Sequence, residues 1–427
     1  MAIGIMIGIF FLFLVMGMPI GIAIAGSSIA SILAVGDLPG ILLPQRTFVM
    51  LDSFSLMAVP VFILAGEVMG VSGITTKIVK LASALVGHLR AGLGQTSILA
   101  GMLMAGISGA AAADASALGA ILIPAMEEEG YDKPLAVSII ASANTIGPII
   151  PPSIMMIIYG SMTGVSIGAL FLGGFVPGVL FGLSLMILTH FTAKKRTGIK
   201  IHTRATLKEI WIAFKEAIWA LIMPVIIVGG ILSGFFTATE SGVIAVIYAF
   251  IVGFMNRSIH SFKQVKQIVL NAAMGSTTPM FLIGIAAVMG WVLARNDFPL
   301  HVGNFLNGIT TNPNVFIVLV WAFYLFIGCF MEDTAAMIIL VPILAPIAAA
   351  YGFDPVHFGV FTVVTLLIGC ITPPVGMLLF ICSAIAKVKV TDVVTTIVPY
   401  CITLAGMACL FGLFPILITL VPNMVFG

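Results

Sequence analysis

The chain has 427 residues, of which 61% are hydrophobic and 8% charged, with a formal net charge of +2. A soluble domain carries about 25% charged residues, so this composition excludes a soluble protein and points to an integral membrane one. The apolar runs are long rather than short and alternating, which excludes a transmembrane β-barrel.

The stretch from Met1 to Val15 is apolar with no Lys or Arg ahead of it. A cleaved signal peptide needs a basic leading region, so a retained first helix is expected. Residues 3–35 are long enough for two short crossings hinged at Gly17-Met18-Pro19-Ile20-Gly21. A loop from Asp37 to Arg46 and a span at 47–70 follow. Ile74 to Arg90 is amphipathic and basic, the pattern of a helix lying along the membrane interface. Residues 94–126 are apolar but broken at Ser108-Gly109, which predicts a re-entrant helical hairpin with its tip inside the protein. A charged loop, Glu127 to Lys133, leads to an interrupted helix at 134–161 and a span at 166–192.

Lys194 to Lys215 holds seven Lys/Arg and joins the halves, with helical spacing of apolar residues from Leu207 onward. The second half then repeats the first: spans at 216–233 and 238–255, a basic loop to Lys266 and a span at 275–294. After a loop from Arg295 to Pro313 come a hairpin at 314–349 broken at Glu332-Asp333, an interrupted helix at 356–386 and a last span from about 393. The reading is all-α: two inverted repeats, residues 1–193 and 216–427, joined by the basic connector 194–215.

The repeat rests on matched punctuation. Gly147-Pro148-Ile149-Ile150-Pro151-Pro152-Ser153 and Gly369-Cys370-Ile371-Thr372-Pro373-Pro374-Val375 hold their glycines and proline pairs 222 positions apart. Gly130-Tyr131-Asp132 and Gly352-Phe353-Asp354 keep the same offset, and Pro60 and Pro279 are 219 apart. A proline pair removes two backbone donors and pushes the preceding residue out of the helical region. In hydrocarbon such a break is tolerable only when buried in protein or lining a polar cavity. Paired interrupted helices are the best sequence pointer to a transporter's substrate and ion sites. Five crossings per half, counting hairpins as none, invert the second half. With the 194–215 connector placed in the cytoplasm, sixteen of the eighteen Lys/Arg fall inside, leaving only Arg46 and Arg295 outside, and both termini come out external.

The breaks carry Ser108 and Asp114 in one hairpin, Glu332, Asp333 and Thr334 in the other, Asn144 and Thr145 before the first proline pair, and Thr372 at the second. Broken helices offer carbonyls to a hard cation such as sodium, and their positive N-terminal ends suit a carboxylate. Two structural readings compete with function: Asp114 and Asp333 as helix caps, and Ser153 bonding back to its own helix. Glu67 and Glu240, near span ends, read as interface or packing residues. The five cysteines lie in apolar C-terminal segments without a CxxC pair, as buried free thiols do. No acid–histidine cluster marks a proton relay, and no catalytic constellation marks a membrane enzyme.

SGAAAADASALGAILIP (108–124), NTIGPIIPPS (144–153), FMEDTAAMIILVPILAP (330–346) and GCITPPVGMLLF (369–380) together resemble the large membrane subunit of TRAP transporters, the DctM-like family of the ion transporter superfamily. The resemblance spans essentially the whole chain. It implies a sodium-driven importer of organic acids, such as sialic acid or a C4-dicarboxylate, in a bacterial inner membrane. Its implied partners are a small four-helix membrane subunit (DctQ-like) and a periplasmic substrate-binding protein (DctP-like). It further implies an elevator in which hairpins and interrupted helices move against a scaffold. With the paired breaks, it assigns Ser108, Asn144 and Gly147 to one sodium ion and Gly328, Gly369 and Thr372 to a second. Ser108, Ser153 and Asp333 are the expected substrate contacts between the hairpin tips. The alternative is a stand-alone sodium-coupled carboxylate or ion antiporter of the same superfamily.

Overall fold

The computed structural model describes residues 2–35, 40–194, 198–200 and 202–426. Parts of the expected 37–46 loop and of the 194–215 connector lie outside the described residues. Every described element is helical. The chain opens with α1 (Ala2–Val15) and α2 (Ile20–Val35), which turn back on each other at Gly17, where φ is +75°. Then follow α3 (Leu42–Leu51), α4 (Ala58–Val71) and α5 (Ile74–Val86). Gly73, also at positive φ, lets α5 swing 73° away from α4. α5 buries Ile74, Ile78, Leu81 and Ala82 along one face. Its lysines tie it to later helices: Lys77 donates to Asn256 Oδ1 at 2.7 Å, and Lys80 lies 3.5 Å from Glu216.

Next come α6 (Gly92–Ser108) and α7 (Ala111–Glu128), the two halves α8 (Lys133–Asn144) and α9 (Ile154–Thr163) of a broken helix, and the long α10 (Ile167–Lys194). Beyond the connector lie α11 (Leu207–Leu232), α12 (Ala238–Met255), α13 (Phe262–Arg295), α14 (Phe298–Ile309), α15 (Pro313–Gly328) and α16 (Asp333–Ala350). A second broken helix runs as α17 (Pro355–Ile368), a 3-10 turn (Gly369–Ile371) and α18 (Met377–Ala386), before α19 (Val390–Leu413) and α20 (Ile416–Phe426).

Helix starts keep the spacing seen in the sequence. α7 and α16 begin at Ala111 and Asp333, and α8 and α17 at Lys133 and Pro355, each pair 222 positions apart. The contacts exchange between halves: α7 rests on α18 while α16 rests on α9, and α8 rests on α19 while α17 rests on α10. The broken helices are the centre of this part. Leu135 to Asn144 of α8 and His357 to Ile368 of α17 are all buried. Around it, α4 packs on α12 and α13 on α2.

Three stretches differ from the sequence reading. α11 runs unbroken from Leu207 to Leu232, so the surface helix and the 216–233 span are one element. A capping box fixes its start, with the Thr206 hydroxyl accepting from the Glu209 N–H and the Glu209 carboxylate accepting from the Thr206 N–H. The same device starts α12 at Thr237, where Glu240 closes the box and so acts as a cap partner. The 295–313 loop contains α14, which bends 116° from α15. Six described helices (α10, α11, α12, α13, α16 and α19) are long and apolar enough to cross a membrane, and up to eight spans result if the bent pairs α4/α5 and α14/α15 each count as one. Of these, α16 and the α14/α15 pair cover the expected second hairpin, which counts as none; the other six spans, with the shorter α1 and α2 and the broken pairs α8/α9 and α17/α18, would make up the ten crossings of the five-per-half count.

Candidate functional site

The first break gathers the α6/α7 tip onto the unwound chain between α8 and α9. Gly109 closes the hairpin at φ +61°, and a Cβ there would come 2.6 Å from the Pro152 carbonyl oxygen, so only glycine fits. Gly147 sits against the start of α7: a Cβ on it would stand 3.3 Å from Asp114 Oδ2 and 3.6 Å from the Ala111 Cα. Ser108 Oγ accepts from the Ala110 N–H at 3.2 Å and lies within hydrogen-bonding reach of the Asp114 carboxylate. Asn144 donates its amide to the Ile140 carbonyl at 2.7 Å, which leaves Oδ1 buried without a hydrogen-bond partner. Asp114 Oδ2 is likewise buried and unpartnered. Among the described residues, no backbone N–H reaches the Gly147 carbonyl.

Unpartnered buried acceptors cost roughly 1–3 kcal/mol each. Asp114 Oδ2 lies against Gly147, and Asn144 is three residues before it; unpartnered oxygens of this kind are the donors a hard cation takes. Asp114 does not cap α7: its N-cap position is Ala110, which makes no side-chain bond. The sequence left the choice between cap and functional group open, and the capping reading fails because α7 starts three residues before Asp114, with Ala110 at the N-cap. An acid in mid-hairpin beside a break glycine was the signal available.

At the second break the contact is backbone to backbone. A Cβ on Gly369 would lie 2.5 Å from the Gly328 carbonyl oxygen and 2.6 Å from its Cα. Thr372 Oγ1 donates to the Ile368 carbonyl at 2.7 Å and lies 4.0 Å from Cys401 Sγ. Gly328, Gly369 and Thr372 are thus brought together. The α16 cap is Glu332 rather than Asp333: the Glu332 carboxylate accepts from the Ala335 N–H at 2.8 Å. Asp333 is buried, accepts from the Thr334 N–H at 3.0 Å and lies within hydrogen-bonding reach of the Cys370 thiol. The two breaks are unlike in chemistry and access. At the 222 offset Asn144 corresponds to Leu366, Asp114 to Ala336 and Ser153 to Val375. Ser153 is fully buried, whereas Val375 is 52% exposed.

Both hairpin tips meet the start of α9. Gly109 abuts Pro152 from one side, and Thr334 Oγ1 reaches Met155 Sδ at 3.6 Å from the other. Ser153 lies between as the α9 N-cap, accepting from the Met156 N–H at 3.2 Å and donating to the Pro148 carbonyl. Its hydroxyl therefore holds the break together. Ser153→Ala is expected to cost about 1 kcal/mol of stability, read as a lower Tm of the full-length protein; an unchanged Tm would contradict the capping role. Among the described residues, no group of three or more His, Cys, Asp or Glu could hold a metal ion. Two clefts, of about 410 and 400 Å³, open at the far end of α9, lined in part by Tyr159 and Pro342 and by Ser161 and Thr237.

The profile described as "Tripartite ATP-independent periplasmic transporter, DctM component" matches residues 7–417. The chain is 40% identical over 369 residues to the 2,3-diketo-L-gulonate TRAP transporter large permease protein YiaN of Escherichia coli, covering 86% of this chain and 87% of YiaN. It is 35% identical over 414 residues to the sialic acid TRAP transporter large permease protein SiaM of Vibrio cholerae, covering 96% of each. The fold is also similar to that of Neisseria gonorrhoeae MtrF, with a TM-score of 0.62 at 13% identity over 87% of this chain and 82% of MtrF. YiaN and SiaM are named as permeases rather than enzymes, in keeping with an all-helical membrane protein built around two broken helices. This chain belongs to the DctM component family of the tripartite ATP-independent periplasmic transporters.

Proposed function

We propose that this chain is the transport subunit of a sodium-driven, binding-protein-dependent importer of an organic acid, such as sialic acid or a C4-dicarboxylate, in a bacterial inner membrane. The observation that carries the sodium coupling is that the first break holds two buried side-chain oxygens without hydrogen-bond partners, Asp114 Oδ2 and Asn144 Oδ1. One sodium ion is held by Ser108, Asn144 and Gly147, with Asp114 supplying the formal negative charge. A second is held where Gly328 and Gly369 meet, with Thr372 beside them. The substrate lies between the hairpin tips, at Ser108, Ser153 and Asp333.

The coupling follows from charge. The sequence places no Arg or Lys at either break, so a carboxylate arriving there gives up water without meeting a basic side chain. Its counter-charge comes from bound sodium and from the positive N-terminal ends of α7, α9 and α16, which start at the breaks. Asp333 repels a carboxylate and instead accepts from hydroxyl or amide donors on the substrate. Without sodium the anion would lose several kcal/mol per unsatisfied group.

Residues 1–193 and 216–427 act as inverted repeats about the cytoplasmic connector 194–215, with both termini periplasmic. The exchanged contacts of α7, α8, α16 and α17 support this, since a two-fold relation between halves produces such swapping. The hairpins and broken helices move as one body against α1–α5 and α11–α14. Introduced cysteines near Arg204 and near Met424 should label from opposite sides of the membrane; labelling from one side would contradict the inverted count. Two further components, a small four-helix membrane subunit and a periplasmic binding protein, fit the tripartite family. The function is tested in proteoliposomes containing all three. Uptake of labelled substrate should saturate, require the binding protein and follow an imposed inward sodium gradient. Sodium-coupled flux without the binding protein would favour the stand-alone antiporter reading.

A further inference from the structure

Away from the breaks, two arginines share one tryptophan. Arg46 on α3 and Arg295 at the end of α13 lie with their guanidinium carbons 5.3 and 5.5 Å from the centroid of the Trp291 ring. Both arginines are exposed and Trp291 is half-buried. Stacking on an indole face stabilises one guanidinium, but bringing two like charges onto one ring costs repulsion that the ring does not remove. Among the described residues neither arginine is in an ion pair, although the carboxylate of Asp297 follows two residues after Arg295 and that of Asp52 lies further along from Arg46 in the α3 segment. The position of the cluster narrows what relieves it. The next element, α14, has no buried residue, exposes Leu300, Phe305 and Ile309 and turns 116° from α15. A short helix with that much outward apolar surface belongs along the membrane plane. That sets Arg295 and Trp291 at headgroup depth, where tryptophan and arginine anchor membrane proteins.

We infer that Arg46, Trp291 and Arg295 form a site for the phosphate of an anionic phospholipid, seated where α3 and α13 meet. The two guanidiniums clasp the phosphate oxygens with charge-assisted hydrogen bonds, and the acyl chains run down the apolar outer surface of the two helices. Because α3 and α13 belong to the scaffold side of the proposed transport motion, the lipid would fasten that side in the bilayer. The site itself does not depend on the transport reading.

The test is native mass spectrometry of delipidated full-length protein after re-addition of phosphatidylglycerol, phosphatidylcholine or inorganic phosphate. Phosphatidylglycerol should be retained in preference to phosphatidylcholine, by about fivefold for each arginine. Arg46→Gln and Arg295→Gln should each lose about fivefold, and the double variant should lose the preference. Arg257→Gln, an exposed arginine elsewhere, should retain it. Equal retention of both lipids, or an undiminished preference in the double variant, would overturn the inference. Displacement of phosphatidylglycerol by inorganic phosphate would show a soluble-anion site and overturn the lipid assignment. If the double variant misfolds, the two single variants carry the same decision.

Discussion

Gly369→Ala is expected to abolish substrate uptake while the protein still inserts in the membrane. The added methyl would sit 2.5 Å from the Gly328 carbonyl oxygen and 2.6 Å from its Cα, so backbone, not a flexible side chain, must give way. Overpacking of this kind costs about 1–3 kcal/mol, which a protein with so large a buried core can survive. The α15 end and the broken helix would be forced apart, however, and the carbonyls of the proposed second sodium site would lose their spacing. Gly406→Ala, where a Cβ meets nothing within 4 Å, is the control and should transport normally. Normal uptake by Gly369→Ala would show that transport does not need the close backbone approach of Gly328 and Gly369.

Asp114→Asn should raise the sodium concentration needed for half-maximal uptake by about tenfold or more, since bonds to a charged group are worth about 1.5–3 kcal/mol. The substitution keeps the shape of a side chain that is 1% exposed and removes only its charge. Asn144→Ala should move the sodium dependence in the same direction by deleting the unpartnered Oδ1. Substrate affinity at saturating sodium should change less in both variants. A sodium dependence identical to that of the unaltered protein in both would place the ion elsewhere.

The broken helices were legible in the sequence because their markers are residues that forbid regular helix. Both Pro-Pro pairs lie in non-helical stretches, between Asn144 and Ile154 and between Ile371 and Met377, and the 222 offset recurs in the starts of α7 and α16 and of α8 and α17. What was not legible depended on packing. α14 is apolar yet carries Pro299, Gly303 and Gly308, residues that read as loop, and forms a helix because Pro299 sits in its first turn. α11 was divided at its charged first turns, though the Thr206–Glu209 box starts the helix there. Glu332 and Asp333 are adjacent acids, and sequence alone does not say which turns back to the α16 amides; the observed bond from Ala335 assigns the cap to Glu332. Ser153 and Asp114 show the same limit. One has both roles of its hydroxyl satisfied at the α9 start, and the other keeps an oxygen without a partner. Periodicity distinguishes neither.

If the two breaks are the proposed sodium sites, an equilibrium sodium-binding isotherm of the purified full-length protein should report both ions. The unaltered chain should bind two ions. Asn144→Ala should lose or weaken the one at Ser108, Asn144 and Gly147, and Thr372→Ala the one at Gly328 and Gly369, each leaving the other in place. Isotherms for both variants that superimpose on that of the unaltered protein would place the ions away from the breaks.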